Sequence, residues 1–174
     1  MNIQRAEYKH AEGIAKVCSM GYRATYRDTH SGEYIERTIK EFDNLERIRS
    51  EITVDSDGWD GWFVALDHGD VVGAIGGGMV GEDVSEIYVL YLDPDRRGEG
   101  IGTLLLEALT EVQKRKGSKE QWVSVAKGNI RGIPFYEARG FKFFEEKPSY
   151  GNKLDEKYIS LRYSRKIGSF LKYY

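Results

Sequence analysis

Apolar positions along the chain change period several times, and each change predicts an element. Ile14, Val17, Cys18 and Gly21 fall three and four apart, which predicts a helix over Tyr8–Met20. Tyr22–Gly32 is aromatic and polar, and reads as a loop or a broken helix. Ile35, Ile39 and Phe42, then Leu45, Ile48 and Ile52, predict two more helices. Short apolar runs predict strands at Met1–Arg5, Trp62–Leu66, Val71–Met79, Ile87–Leu92, Gln121–Val125, Phe141–Glu145 and Tyr158–Tyr163. Asp67-His68-Gly69-Asp70 is a hairpin signal, and glycines at 73, 76, 77 and 78 predict a bulge or a close backbone approach. Ile101, Leu105, Leu109 and Val112 line one face of a helix that Gly117 would end. A last helix follows Asn129, with Pro134 inside it predicting a kink or a late start.

Length and charge narrow the picture. A chain of 174 residues suits one domain with a sizeable core, placed at 1–164 with a tail at 165–174. Its net charge of −2 gives no global reason to bind nucleic acid or an anionic membrane. Cys18 is the only cysteine, so no intramolecular disulfide is possible, and its place on an apolar helix face marks a core residue. Met1–Arg5 lacks the apolar stretch of a leader, and no window approaches the run of about 20 apolar residues that a membrane helix needs. A cytoplasmic protein is the expectation. Arg162-Tyr163-Ser164-Arg165-Lys166, with Phe170, Tyr173 and Tyr174, reads as a basic aromatic patch, or as a final strand and a tail packed on a second subunit in a homodimer.

The most informative stretch is Ile87–Gly117. An apolar strand ends in Leu92-Asp93-Pro94-Asp95, then Arg96-Arg97-Gly98-Glu99-Gly100-Ile101-Gly102 leads into the helix at Thr103. Glycines without a Cβ let backbone N–H groups converge on an anion, and the helix N-terminus adds unpaired donors and the positive end of its dipole. Arg96 and Arg97 bring full charges. The ligand should carry phosphates.

Spacing excludes two familiar versions of such a loop. A P-loop needs Lys and then Ser or Thr after its last glycine, and here Thr103-Leu104 follows Gly102. A dinucleotide fingerprint needs a third glycine where Thr103 stands, and an acid after the next strand, where Trp122-Val123-Ser124-Val125 has none. What remains, Arg97-Gly98-Glu99-Gly100-Ile101-Gly102, resembles the acetyl-CoA loop of the Gcn5-related N-acetyltransferase (GNAT) family. Asn129, Phe135-Tyr136 and Gly140-Phe141 resemble that family's second motif, and Glu86–Leu92 resembles the strand before its loop. The likeness runs from Trp62 to Phe144, with Gly21–Tyr26 similar to a common family variant.

The resemblance implies an α/β fold, a single domain with a mixed, mostly antiparallel sheet flanked by helices on both faces. It implies direct acetyl transfer from acetyl-CoA, as co-substrate, to an amine. The backbone of Arg97, Gly98, Gly100, Ile101, Gly102 and Thr103 would hold the pyrophosphate, with the Thr103 hydroxyl added. Tyr91 and Leu92 would bond the pantetheine arm as a pseudo-strand. A backbone N–H near Leu90–Leu92 would stabilise the oxyanion. Tyr136 would protonate the leaving thiolate, against its reading as a core aromatic. Asn129 contacts the coenzyme arm or caps its helix. Arg131 and Arg139 meet the adenosine 3′-phosphate or are solvated. Glu86 acts as base through water or is a solvated strand-end charge; period-two alternation puts it on one face with Tyr88 and Leu90. His10, His30 and His68 have no ligand spacing, so no metal is expected; His30 is a candidate second base.

The acceptor is less defined. Tyr22, Tyr26, Trp59 and Trp62, with Asp55, Asp57, Asp60, Glu82, Asp83 and Glu86, suit a cation such as a polyamine, an aminoglycoside, a small amine or a peptide N-terminus. Solvated loop acids are the other reading. The alternative to an enzyme is a coenzyme-A-binding sensor without turnover.

Overall fold

The computed structural model describes residues 1–54, 56 and 58–168. Seven strands form one sheet in the order β1-β2-β3-β4-β5-β7-β6. The strands are β1 (Asn2–Arg5), β2 (Trp62–Asp67), β3 (Asp70–Met79), β4 (Val84–Leu92), β5 (Glu120–Ala126), β6 (Lys142–Pro148) and β7 (Ile159–Lys166). Every pairing is antiparallel except β4 with β5. The helices are α1 (Ala11–Tyr26), α2 (Gly32–Phe42), α3 (Leu45–Thr53), α4 (Ile101–Arg115) and α5 (Gly132–Glu137). The expected mixed sheet between helices is what the chain forms.

Alternation along the strands divides the core. On β2, Phe63 and Ala65 join Ile101, Leu105 and Leu109 of α4, while Val64 joins Ile14, Val17 and Cys18 of α1 and Ile48 of α3. The β2–β3 hairpin turns on His68 at φ 49° and Gly69 at φ 85°, the left-handed pair that a two-residue hairpin requires. The glycines of β3 serve both expected purposes. A Cβ on Gly78 would lie 1.9 Å from the Gly58 carbonyl oxygen, and the β3–β4 register shifts between Gly76 and Gly77. Helix α4 ends as predicted. Ser118 N–H reaches the Gln113 carbonyl and Gly117 N–H the Lys114 carbonyl, with Gly117 at φ 94°.

Two boundaries differ from expectation, at α1 and β7, and one follows it, at α5. Helix α1 continues through Tyr26, because the aromatics that suggested a break pack along it, with Tyr22 and Tyr26 ring centroids 4.3 Å apart. Helix α5 takes the late start that Pro134 implied, beginning only at Gly132, so that Pro134 falls in its first turn, where the missing N–H is harmless. Strand β7 extends through Lys166 and Ile167 is buried, so Arg165, Lys166 and Ile167 belong to the packed fold rather than to a tail. Phe170, Tyr173 and Tyr174 lie outside the described residues. Among those described, no helix is long and apolar enough to cross a membrane.

Candidate active site

Among the described residues, strands β4 and β5 are the only parallel neighbours, and they pair over Val84–Ile87 against Glu120–Val123. Beyond that point they separate. β5 stays bonded to β7 along its whole length, while β4 follows β3 through a bulge. Gly76 opposes Val89 and Gly77 opposes Ile87, so Tyr88 is the extra residue. Such a residue sharpens the local bend and turns a strand from its neighbour. The gap-facing N–H and C=O groups of β4 past Ile87 therefore have no strand partner. An extended ligand can bond them as a strand would.

The bulge also corrects one expectation. Leu90 does not share a face with Glu86; Leu90 and Leu92 pack with α4, while Val89 and Tyr91 face α1. Period-two counting fails across an inserted residue.

A cavity of about 610 Å³ fills the gap. It is lined along β4 from Ile87 to Leu92, and at one end by Arg97, Gly98, Gly100, Ile101, Gly102 and Thr103. Gly98 and Gly100 hold φ of 79° and 78°, and a Cβ on either would meet nothing within 4 Å, so both present bare backbone to open space. The opening N–H groups of α4 point the same way, as a helix start leaves them unpaired. Gly102 has another purpose, since a Cβ there would press 3.2 Å from the Phe135 ring of α5.

The two arginines of the loop part company. Arg97 lines the cavity, whereas Arg96 is drawn away, its Nη2 2.9 Å from Asp67 Oδ2 and its Nε 2.7 Å from Glu99 Oε2. Arg96 ties the loop to β2 and brings no charge to the ligand side. Arg131 and Arg139 also line the cavity, and no carboxylate does. Arg139 is not simply solvated. Its guanidinium engages the Thr103 hydroxyl and donates to the Phe135 carbonyl at 2.8 Å. Three guanidiniums, open glycine backbone and a helix start form a site for a polyphosphate, so the residues present fit coenzyme A.

Tyr136 lies on the opposite wall, on α5, 8% exposed and packed edge-on against Phe135 and Phe141. Burial pushes its phenol up, with the nearby Tyr26 adding to it, so the proton stays on through the alkaline range. Asn129 lines the cavity too, while its side-chain oxygen accepts from Gly132 N at 2.8 Å and so caps α5. The residue thus borders the gap while it ties down the start of α5.

Glu86 does not line the cavity. It sits in the paired half of β4, opposite Trp122, with Oε1 2.5 Å from Arg162 Nη1. That guanidinium lies over the Trp122 ring and also donates to Ser124 Oγ at 2.7 Å, and Ser124 does line the cavity. Glu86 is thus linked to the gap through Arg162 and Ser124, and is neither a bare base nor a solvated charge.

The other end of the cavity is formed by Gly21, Thr25 and Tyr26 of α1 with Tyr88 and Tyr91 of β4. The acids expected there are elsewhere. Asp60 is buried in an ion pair with Lys116 at 2.6 Å and accepts from Gln113, so it is structural. Glu82 and Asp83 are exposed in the β3–β4 turn, Asp55 and Asp57 lie outside the described residues, and Trp62 is core beside α1. Asp43 and Glu51, beside and within α3, do not line the cavity, and only Asp43 acts on one of its tyrosines. Burial and the charge of Glu51 lift the Asp43 carboxyl to about 6; the Tyr91 phenol is raised chiefly by burial, then by Tyr26 and Tyr22, with Asp43 adding least. Nothing in the sequence marked Asp43; only the packing of α2 and α3 on α1 brings it there. His30 stacks on Tyr158 at 4.0 Å, away from the lining, and burial lowers its pKa. Cys18 is wholly buried, its thiol pushed up, and is a core residue. No metal-binding group occurs among the described residues.

The family model of the Acetyltransferase (GNAT) family matches residues 22–141. The chain belongs to the GNAT family. A spermidine N(1)-acetyltransferase of Thermoplasma acidophilum is 31% identical over 144 residues, covering 82% of this chain and 88% of that protein. The ribosomal protein bS18-alanine N-acetyltransferase of Escherichia coli is 32% identical over 59 residues, 34% of this chain and 40% of that one. In fold, the chain matches an N-acetyltransferase of Thermoplasma acidophilum solved in complex with coenzyme A, with a TM-score of 0.77 and 24% identity over 92% of this chain and 96% of that one. This GNAT protein is an acyltransferase that uses acetyl-CoA to acetylate an amine. Its chemistry needs a held thioester, a neutral amine and a proton for the departing sulfur, and a thioester is reactive enough that positioning supplies much of the rate.

Proposed function

We propose that the protein transfers the acetyl group directly to a small cationic amine, with a polyamine as the first acceptor to test. The observation that carries this reading is the asymmetry of the cavity. One end offers guanidiniums and bare N–H groups, and the other offers tyrosines, with the Asp43 carboxylate behind Tyr91. Phosphates belong at the first and an ammonium at the second. The thioester then lies in the gap, where β4 and β5 have parted.

In this reading the loop Arg97–Thr103 holds the pyrophosphate, and Tyr91 and Leu92 pair with the arm. A backbone N–H near Leu90–Leu92 receives the developing oxyanion. Tyr136, kept protonated by burial, gives its proton to the sulfur. Glu86 takes the proton of the ammonium through a water, since Arg162 occupies its direct approach. The spermidine-acetylating relative supports the polyamine class because its likeness spans most of both chains.

Release of free thiol from acetyl-CoA, followed across polyamines, aminoglycosides, amino acids and peptides, tests this. Turnover with spermidine-like amines above all others is expected. A panel in which only neutral or anionic acceptors react would overturn the cationic assignment and leave the acetyltransferase activity standing.

A further inference from the structure

Several partly buried charges among the described residues are neutralised by a partner of opposite sign. Asp60 has Lys116, Arg96 has Asp67 and Glu99, Arg37 has Glu156 and Arg162 has Glu86. Arg165 is different. It stands on β7 opposite Gln121, and its fork donates to three neutral acceptors: Gln121 Oε1 at 2.9 Å, Thr110 Oγ1 at 3.1 Å and the Arg139 carbonyl at 2.8 Å. The Phe141 ring lies 4.5 Å from its guanidinium carbon. Among the described residues, no carboxylate forms an ion pair with Arg165 or with Arg139. Burial lowers the pKa of Arg165, and the charge of Arg139 lowers it further.

Two neighbouring guanidiniums without an anion are unfavourable in a partly desolvated place. The arrangement gains its purpose from the cavity that Arg139 borders. Arg139 closes the α5–β6 corner, and its own guanidinium reaches the Thr103 hydroxyl in the first turn of α4. Gripping the Arg139 carbonyl fixes the backbone from which that side chain projects.

We propose that Arg165 is a positioning residue for acetyl-CoA binding. It holds the Arg139 carbonyl, so that the Arg139 guanidinium stays beside Thr103 at the rim of the cradle, and a ligand phosphate is the counter-ion that the pair lacks. The proposal rests on the reading that coenzyme A phosphates occupy the Arg97–Thr103 loop. Arg165 touches neither the ligand nor the reacting atoms.

The test is calorimetry with coenzyme A and steady-state kinetics on the full-length protein. Arg165→Gln should raise the Kd for coenzyme A and the KM for acetyl-CoA by about tenfold, with kcat and the acceptor KM within about twofold. Arg165→Lys keeps the charge but not the three-pronged geometry, and should still weaken binding at least about threefold. In an Arg139→Gln background the Arg165→Gln change should add less than about twofold, because its route to the ligand is gone. Thr110→Val removes one acceptor of the fork with little change of shape, and a rise of about twofold is expected even if the arginine variants fold poorly. Unchanged coenzyme A affinity in folded variants, whatever the loss in melting temperature, overturns the proposal. So does full additivity with Arg139→Gln. Wild-type protein that does not bind coenzyme A would instead sink the cradle assignment on which all of this stands.

Discussion

The two ends of the cavity are built in opposite ways. The end proposed for the phosphates centres on one continuous segment, Arg97–Thr103, whose chemistry is largely that of the backbone, with left-handed glycines, converging N–H groups and a helix start, to which Arg131 and Arg139 add charge. The acceptor end is assembled from α1, the middle of β4 and carboxylates around α3, elements far apart in sequence. A site made of local backbone geometry tolerates little change within a few residues and depends on few side chains outside them. A site made of side chains brought together by packing spreads its specificity over the whole fold. One family can therefore keep its donor while its acceptors diverge.

The strongest way to break this comparison is at the gap between the two ends. Tyr136→Phe keeps the ring and its packing but removes the phenolic proton, so turnover should fall by up to about 10²-fold with coenzyme A affinity unchanged. An unaltered turnover number under conditions where chemistry limits the rate would make Tyr136 a core aromatic only. Next comes the cradle itself. Gly100→Val places a β-branched residue at φ 78° and a side chain in the open space before α4. Coenzyme A binding should weaken at least about tenfold, equal to about 1.4 kcal/mol. Calorimetry on the folded variant decides it.

Smaller effects sharpen the acceptor end. Asp43, lifted to about 6 by burial and Glu51, is held ionised at a cost above that pH. Its folded pKa exceeds the unfolded one, so its contribution is fully favourable below about pH 4 and is lost as pH rises through about 6. Asp43→Asn should therefore stabilise the protein by about 1 kcal/mol at pH 7.5 and leave it unchanged or weaker at pH 4, by denaturant melts. If the carboxylates behind Tyr91 also attract the acceptor, the same variant should raise the KM for a cationic amine at neutral pH. Equal stability at both pH values would remove Asp43 from the account. The mildest expected change is at Arg96, which only ties the loop to β2. Arg96→Gln should raise the acetyl-CoA KM about two- to threefold and lose little stability, since its partners are solvent-accessible. A loss as large as that of Gly100→Val would mean that Arg96 meets the phosphates after all.

The chain by itself determined most of the layout. Apolar patterning marked the seven strands and the four longer helices, because burial on one face imposes a period of two or of 3.6 wherever an element packs. The glycine loop and the Asn129–Phe141 segment were legible because their chemistry lies in consecutive residues. What only the tertiary structure decided concerns neighbours distant in sequence. It turned Arg96 from the ligand to Asp67 and Glu99, and engaged Glu86 with Arg162. It buried Asp60 against Lys116, brought Asp43 behind Tyr91, and placed Arg165 under Arg139. The bulge at Tyr88 belongs to the same class, for it depends on the register between two strands and reverses which side chains enter the gap. Charge and polarity at one position state what a residue needs, while the partner that satisfies it is chosen by the packing of the sheet and helices around it.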